Sequence, residues 1–208
     1  MRRRTHARQG TFRSPRSVTA EDAVRVANAV LAAKPALGDV RMLAVDGPSG
    51  SGKSTFAAAV VDCLRADGTS TALVSTDDFA TWDAPVSWWP RLLEGVLTPL
   101  AAGRQGSYRV MDWTSGLPRL GEQVGVDVPE VLVLEGVSAG RASIRSRLSL
   151  LCWVEIADVA TRLDRAVSRD GESSRPMLTA WQRFEHGWFE VDQTRQSAHT
   201  TFGVTSTD

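Results

Sequence analysis

The chain has 208 residues, 42% of them hydrophobic and 23% charged, which gives room for one sizeable core and no second full domain. Lys and Arg balance Asp and Glu, 24 against 24, so no global field points to a nucleic-acid partner. No apolar run reaches the length of a membrane span, and the charged start lacks the apolar stretch of a signal peptide, so a cytoplasmic protein without a membrane partner is expected. Cys63 and Cys152 lie far apart in apolar stretches and read as buried thiols in a reducing compartment.

Residues 1–17, rich in Arg, Ser, Gly and Pro without periodicity, read as a flexible basic lead-in to a single domain over 18–208. Thr19 reads as an N-cap with Asp22 three residues on, followed by Val24, Ala27, Val30 and Leu31 at helical spacing. Lys34-Pro35 ends that helix. Arg41 to Asp46 is a short apolar run suited to a buried strand, and Gly47 to Gly52 breaks it. Phe56 to Arg65 reads as a helix, Thr71 to Ser75 as a strand and Trp88 to Ala102 as a helix. Val131 to Leu134 and Leu148 to Ile156 are two more buried strands. Asp158 to Arg169 and Thr179 to Gln196 read as late helices. Apolar strands alternating with helices predict an α/β fold with three layers, a mainly parallel sheet covered on both faces. Residues 80–125 are expected to form an acceptor-side insertion and 168–180 a small lid.

The strongest signal is Gly47-Pro48-Ser49-Gly50-Ser51-Gly52-Lys53-Ser54-Thr55, which matches the phosphate-binding loop pattern G-x-x-x-x-G-K-[ST] between a strand and a helix. Glycines let backbone N–H groups turn toward phosphate oxygens, and the following helix aims its positive end at the same anion. Lys53 is expected to reach the β- and γ-phosphates of ATP, and Ser54 to offer its hydroxyl to Mg²⁺.

Such a site needs an acid near the metal at the end of another buried strand. Glu135, followed by Gly136, is preferred over Glu155. Asp77, in Ser75-Thr76-Asp77-Asp78-Phe79 at the carboxyl end of the second strand, is the expected base for an attacking hydroxyl, with Asp78 as the reserve. Arg162, Arg165 and Arg169 share a helix face that can neutralise a transferring phosphoryl group, Arg169 being favoured. Arg175 falls in a loop expected to be mobile. The count of seven tryptophans is high. Trp82, Trp88, Trp89 and Trp113 fall where an acceptor should bind, some of them as packing, with Asp83 and Asp112 as partners for its hydroxyls. Trp181, Trp188 and Phe184 read as core of the last helix.

The phosphate loop, Ser75 to Phe79 and Leu134-Glu135-Gly136 together resemble, in order and spacing, the uridine kinases and their phosphoribulokinase relatives. The resemblance covers about residues 40–195. It implies a P-loop kinase fold, use of ATP and Mg²⁺, and Asp77 on the acidic position of the family's S-x-D-x-F. Met111-Asp112-Trp113 resembles the family's Y-D-F, with Met111 in place of its Tyr. The family's following His has no counterpart among Gly116 and Leu117, and Ala84 to Trp88 lacks the Asp that grips the ribose. Phosphoryl transfer from ATP to a hydroxyl of a small-molecule acceptor is therefore expected, without a commitment to uridine. The alternatives are a nucleotide-hydrolysing switch and a (deoxy)cytidylate kinase-like enzyme. The wording of the loop suits the latter, but that family's later motifs are missing.

Overall fold

The computed structural model describes residues 18–113 and 117–203. The basic segment 1–17 and Gly116 lie outside the described residues. The first helix, α1 (Ala20–Ala32), opens with the expected capping box: Thr19 Oγ accepts the Asp22 N–H, and the Asp22 carboxylate accepts the Thr19 N–H. The central strand β1 (Arg41–Asp46) leads through the glycine-rich loop into α2 (Lys53–Ala66), and β2 (Thr71–Ser75) follows.

The helix expected over Trp88–Ala102 runs as α3 (Trp89–Leu92), a π-helical turn (Leu93–Leu97) and α4 (Thr98–Ala101). Next comes an antiparallel hairpin of β3 (Gly106–Asp112) and β4 (Arg119–Val126), where sequence patterning had given only an insertion. The rest is β5 (Val131–Glu135), β6 (Leu150–Glu155), α5 (Val159–Asp170), α6 (Arg175–Asp192), α7 (Thr194–Ser197) and β7 (Thr200–Gly203). The last helix was expected to begin at Thr179. It begins at Arg175, because Pro176 suits a first helical turn, and it breaks where Gln193 turns left-handed at φ 57°. Arg175, expected in a loop, therefore sits in this helix and pairs with Glu172 and Asp164.

The five sheet strands are all parallel, in the order β2-β5-β1-β6-β7. Alternate residues of the central strands face two separate cores, which is why these strands read as continuous apolar runs. Leu43, Val45, Val133 and Val154 pack beneath Val26 and Val30 of α1 and Phe56, Val60 and Leu64 of α2. Met42, Ala44, Leu132 and Leu134 pack beneath Leu92, Val96, Leu97 and Leu100 on the opposite face. The hairpin joins this second core through Tyr108, whose ring stacks on Phe79 at 4.7 Å. Among the described residues, no helix is long and apolar enough to cross a membrane.

Candidate active site

The carboxyl ends of β1, β2 and β5 lie side by side, so the segments that follow them converge on one cleft of about 910 Å³. Ser49, Gly50, Gly52, Lys53, Ser54 and Thr55 line it from β1 and α2, Asp77 from the end of β2, and Glu135 from the end of β5. Arg165 and Arg169 on α5 face the same space.

The loop is shaped as a phosphate cradle. Gly50 and Gly52 have φ of 75° and 87°, and a Cβ on Gly50 would lie 2.3 Å from the carbonyl oxygen of Arg162. Among the described residues no side chain caps α2, which leaves its first N–H groups for a ligand in the cleft rather than consumed by a cap. The Lys53 ammonium is nearly buried and donates to Pro48 O at 2.9 Å, within the loop it would leave to meet a phosphate. Ser51 is fully buried, and its hydroxyl accepts the Ile156 N–H at 3.3 Å, stitching the loop to the end of β6.

Glu135 stands beside this cradle. Its carboxylate accepts Ser75 Oγ–H at 2.6 Å and Ser54 Oγ–H at 3.2 Å. Burial raises its pKa, while those two hydroxyls and Lys53 favour its charged form. A buried carboxylate and the serine hydroxyl that follows the loop lysine form a hard oxygen donor pair, which fits Mg²⁺. Glu155 is absent from the cleft: it accepts Arg195 at 2.7 and 2.9 Å and Trp153 Nε1 at 2.8 Å. Gly136 lines the cleft and is also required by its own backbone. Its φ is 122°, and a Cβ there would lie 2.0 Å from Thr76 Oγ1.

The two neighbouring aspartates part company. Asp77 is exposed to the cleft, and its N–H is fixed by Ser75 Oγ at 3.3 Å. Asp78 is turned toward the hairpin, where it accepts Tyr108 O–H at 2.7 Å. Of the arginine row, Arg162 is committed to Ile156 O at 2.5 Å. Arg165 reaches over the loop, with its Nη2 3.7 Å from where a Gly52 Cβ would lie. Arg169 lines the cleft while bound to Asp170 at 2.6 and 2.7 Å. Asp170 holds its guanidinium above the usual range, and Asp77 and Glu135 act in the same direction.

The expected acceptor residues divide. Trp82 and Trp113 line the cleft with ring centroids 5.8 Å apart. Trp88 does not: it is buried in the core, stacked on Phe79 at 5.3 Å, with its indole N–H donating to Pro85 O at 2.7 Å. Trp89 packs against that core and lies under the Arg141 guanidinium at 4.7 Å. Asp83 accepts Thr81 Oγ–H at 2.7 Å outside the cleft lining, and Asp112 sits opposite Arg119 in the hairpin register.

Three contributors were missed in the sequence. Trp181, read as core, lines the cleft 5.9 Å from Trp82. Asp46 is fully buried at the end of β1 and accepts N–H groups of Gly47, Ser138 and Gly140 at 2.7, 3.1 and 2.8 Å. Burial pushes its pKa up to about 7 against those bonds, and it ties the phosphate loop to the segment after β5. An acid closing an otherwise apolar strand was its visible signal. Glu185 on α6 binds Ser49 from behind. Its only trace in the sequence is that it shares a helix face with Leu178 and Gln182, which are also buried.

No family model and no curated protein matches the chain. Solved structures share its fold. A possible uridine kinase from Bacillus stearothermophilus superposes with a TM-score of 0.65 at 20% identity, covering 88% of this chain and 98% of that one. D-glycerate 3-kinase from Cryptococcus neoformans var. grubii gives a TM-score of 0.55 at 14% identity, covering 78% and 87%. The chain thus has the α/β fold that these two kinase structures share.

Proposed function

We propose that this chain is an ATP-dependent kinase that transfers a phosphoryl group to a hydroxyl of a small, ring-bearing acceptor, with residues 18–208 acting as one kinase domain. The observation that carries this reading is the meeting of Lys53, Ser54, Glu135 and Asp77 in one cleft whose far wall is made of indoles. Kinases sharing the fold act on small molecules of differing chemistry, so the acceptor must be argued from this chain's own wall.

Gly50 to Thr55 would hold the phosphates through backbone N–H groups, with Lys53 exchanging Pro48 O for a phosphate oxygen. Ser54 and Glu135 would hold Mg²⁺, which when bound neutralises phosphate charge. Asp77, exposed in the cleft, is placed to orient and deprotonate an acceptor hydroxyl. Arg165 over the loop and Arg169 beside Asp77 and Glu135 would offset charge on the transferring group, so both arginines share the role first given to Arg169. Residues 168–180, the end of α5 with the first turns of α6, are the segment proposed to close over the phosphates.

On the acceptor side, Trp82, Trp113 and Trp181 form an edge-to-face row with Leu178, Ala80 and Val137 nearby. Trp82 and Trp113 remain 38% and 36% exposed, which leaves part of each indole open to a ligand in the cleft. Such a wall favours a flat, neutral ring over a small charged acid.

The test is ADP release from ATP and Mg²⁺ across nucleosides, ring-bearing vitamin alcohols, sugars and glycerate, with Lys53→Ala as control. Stimulation by a ring-bearing alcohol that vanishes in Lys53→Ala is the expected result. Stimulation by glycerate or sugars alone would discard the ring preference. Slow turnover indifferent to every compound would favour a nucleotide-hydrolysing switch.

A further inference from the structure

The outer lip of the phosphate loop is held by a side chain that has no part in the chemistry above. Glu185 stands 136 residues beyond Ser49 and accepts both its N–H, at 2.9 Å, and its Oγ–H, at 3.1 Å, using a different carboxylate oxygen for each. Glu185 is 1% exposed. Burying a carboxylate is costly, and only well-placed hydrogen bonds offset that cost. Leu178, two turns earlier on the same face, packs against Ala166 and Val167 of α5, whereas Glu185 meets the loop. Among the described residues, both hydrogen bonds of Glu185 go to one residue of the loop. The same helix carries Leu178 and Trp181 into the cleft wall.

We propose that Glu185 is a positioning residue of the nucleotide cradle: it fixes Ser49 to α6, holds the loop in the curvature that Gly50 to Ser54 need for phosphate, and ties that curvature to the helix presenting Trp181. This rests on the reading of the loop as a nucleotide site. The carboxylate acts by shaping the loop, so its loss weakens phosphate binding even though it removes a negative charge near Lys53. A carboxylate that merely occupied the anion site would give the opposite sign.

The experiment is calorimetric binding of Mg-ATP and of tripolyphosphate to the full chain and to Glu185→Ala, Glu185→Met and Glu185→Gln, with Lys53→Ala as the reference for a disabled cradle. Melting of each nucleotide-free protein reports the fold. Glu185→Ala and the space-filling Glu185→Met weaken both ligands about tenfold, the scale of one charge-assisted hydrogen bond. Glu185→Gln keeps an oxygen for the Ser49 N–H and recovers affinity to within about threefold of the original, since a neutral acceptor makes a weaker bond. Unchanged or tighter binding in a folded Glu185→Ala or Glu185→Met, with Lys53→Ala still impaired, overturns the proposal. An unaltered chain that binds neither ATP nor tripolyphosphate overturns the nucleotide reading itself, and this inference with it.

Discussion

The two ends of the cleft are built in different ways. At the proposed phosphate end the groups hang from the ends of three adjacent parallel strands and are locked by buried carboxylates: Asp46 on three backbone N–H groups, Glu135 on two serines and Glu185 on the loop lip. At the proposed acceptor end, the row of Trp82, Trp113 and Trp181 is assembled from a loop, a hairpin and a helix, and it is held by ring contacts near 6 Å between partly exposed indoles. The first end is fixed by hydrogen bonds to backbone N–H groups and serine hydroxyls, which suits the proposed phosphate, a ligand whose charge and shape do not vary. The acceptor end is a packed surface that can be refashioned by one side chain without disturbing the sheet.

Asp77 lines the cleft at the end of β2 and is the proposed base, so its removal is expected to have the largest effect on turnover. Asp77→Asn should lower kcat by about 10²–10⁴, the range of a positioned general base, while leaving the KM for ATP nearly unchanged. Steady-state kinetics with the acceptor found in the panel would check this. A fall in ATP affinity instead would place Asp77 at the phosphate end and erase the division.

The tryptophans sharpen the same division. Trp88→Ala should cost about 3–5 kcal/mol of stability in chemical unfolding, as for a large aromatic removed from a core. Trp181→Ala should leave stability much less affected and raise the acceptor KM about tenfold, as for a loss of aromatic contact area at a binding surface. Equal losses of stability in the two variants would mean that Trp181 is packing, as its sequence position suggested.

What was legible in the sequence follows this contrast. The strands β1, β5 and β6, and the places of the glycine-rich loop, Glu135 and Asp77 in the cleft, were readable because each depends on a short run: an apolar stretch, buried on both faces in β1, β5 and most of β6, then a turn with special residues. The hairpin was not readable, because β4 is largely exposed and so carries no apolar alternation. The strand β7 has four residues at the sheet edge, too few for a pattern. Trp88 and Trp181 exchanged their expected places for a related reason. Both sit in helical surroundings with aromatic neighbours, and only tertiary packing decides which indole meets Phe79 and which meets the cleft. Glu185 acts on a residue far away in the chain, and no local rule announces such a pairing.

The effect furthest removed from turnover is expected at the joint between the hairpin and the proposed base. Asp78 accepts Tyr108 O–H at 2.7 Å, so the hairpin is tied to the residue beside the proposed base. Burial raises the Asp78 pKa above its ordinary 3.8, and the Tyr108 hydrogen bond opposes that rise. Tyr108→Phe removes the opposing bond, so the folded-state pKa climbs further. A group whose folded pKa exceeds its unfolded value contributes most below the unfolded pKa, and that contribution is lost as pH rises through the folded pKa. The variant loses more than the original over that climb, so the stability gap between them should widen from about pH 4 upward. At neutral pH it should reach about 1–3 kcal/mol, the scale of a hydrogen bond to a charged group, discounted for partial exposure. Urea unfolding at pH 4 and pH 7 measures it. A gap that stays constant would mean that the ring, and not the hydroxyl, holds the hairpin to Asp78. The hairpin would then be held beside Asp78 by the stacking on Phe79 and by Arg91, which bonds both Phe79 O and Arg109 O.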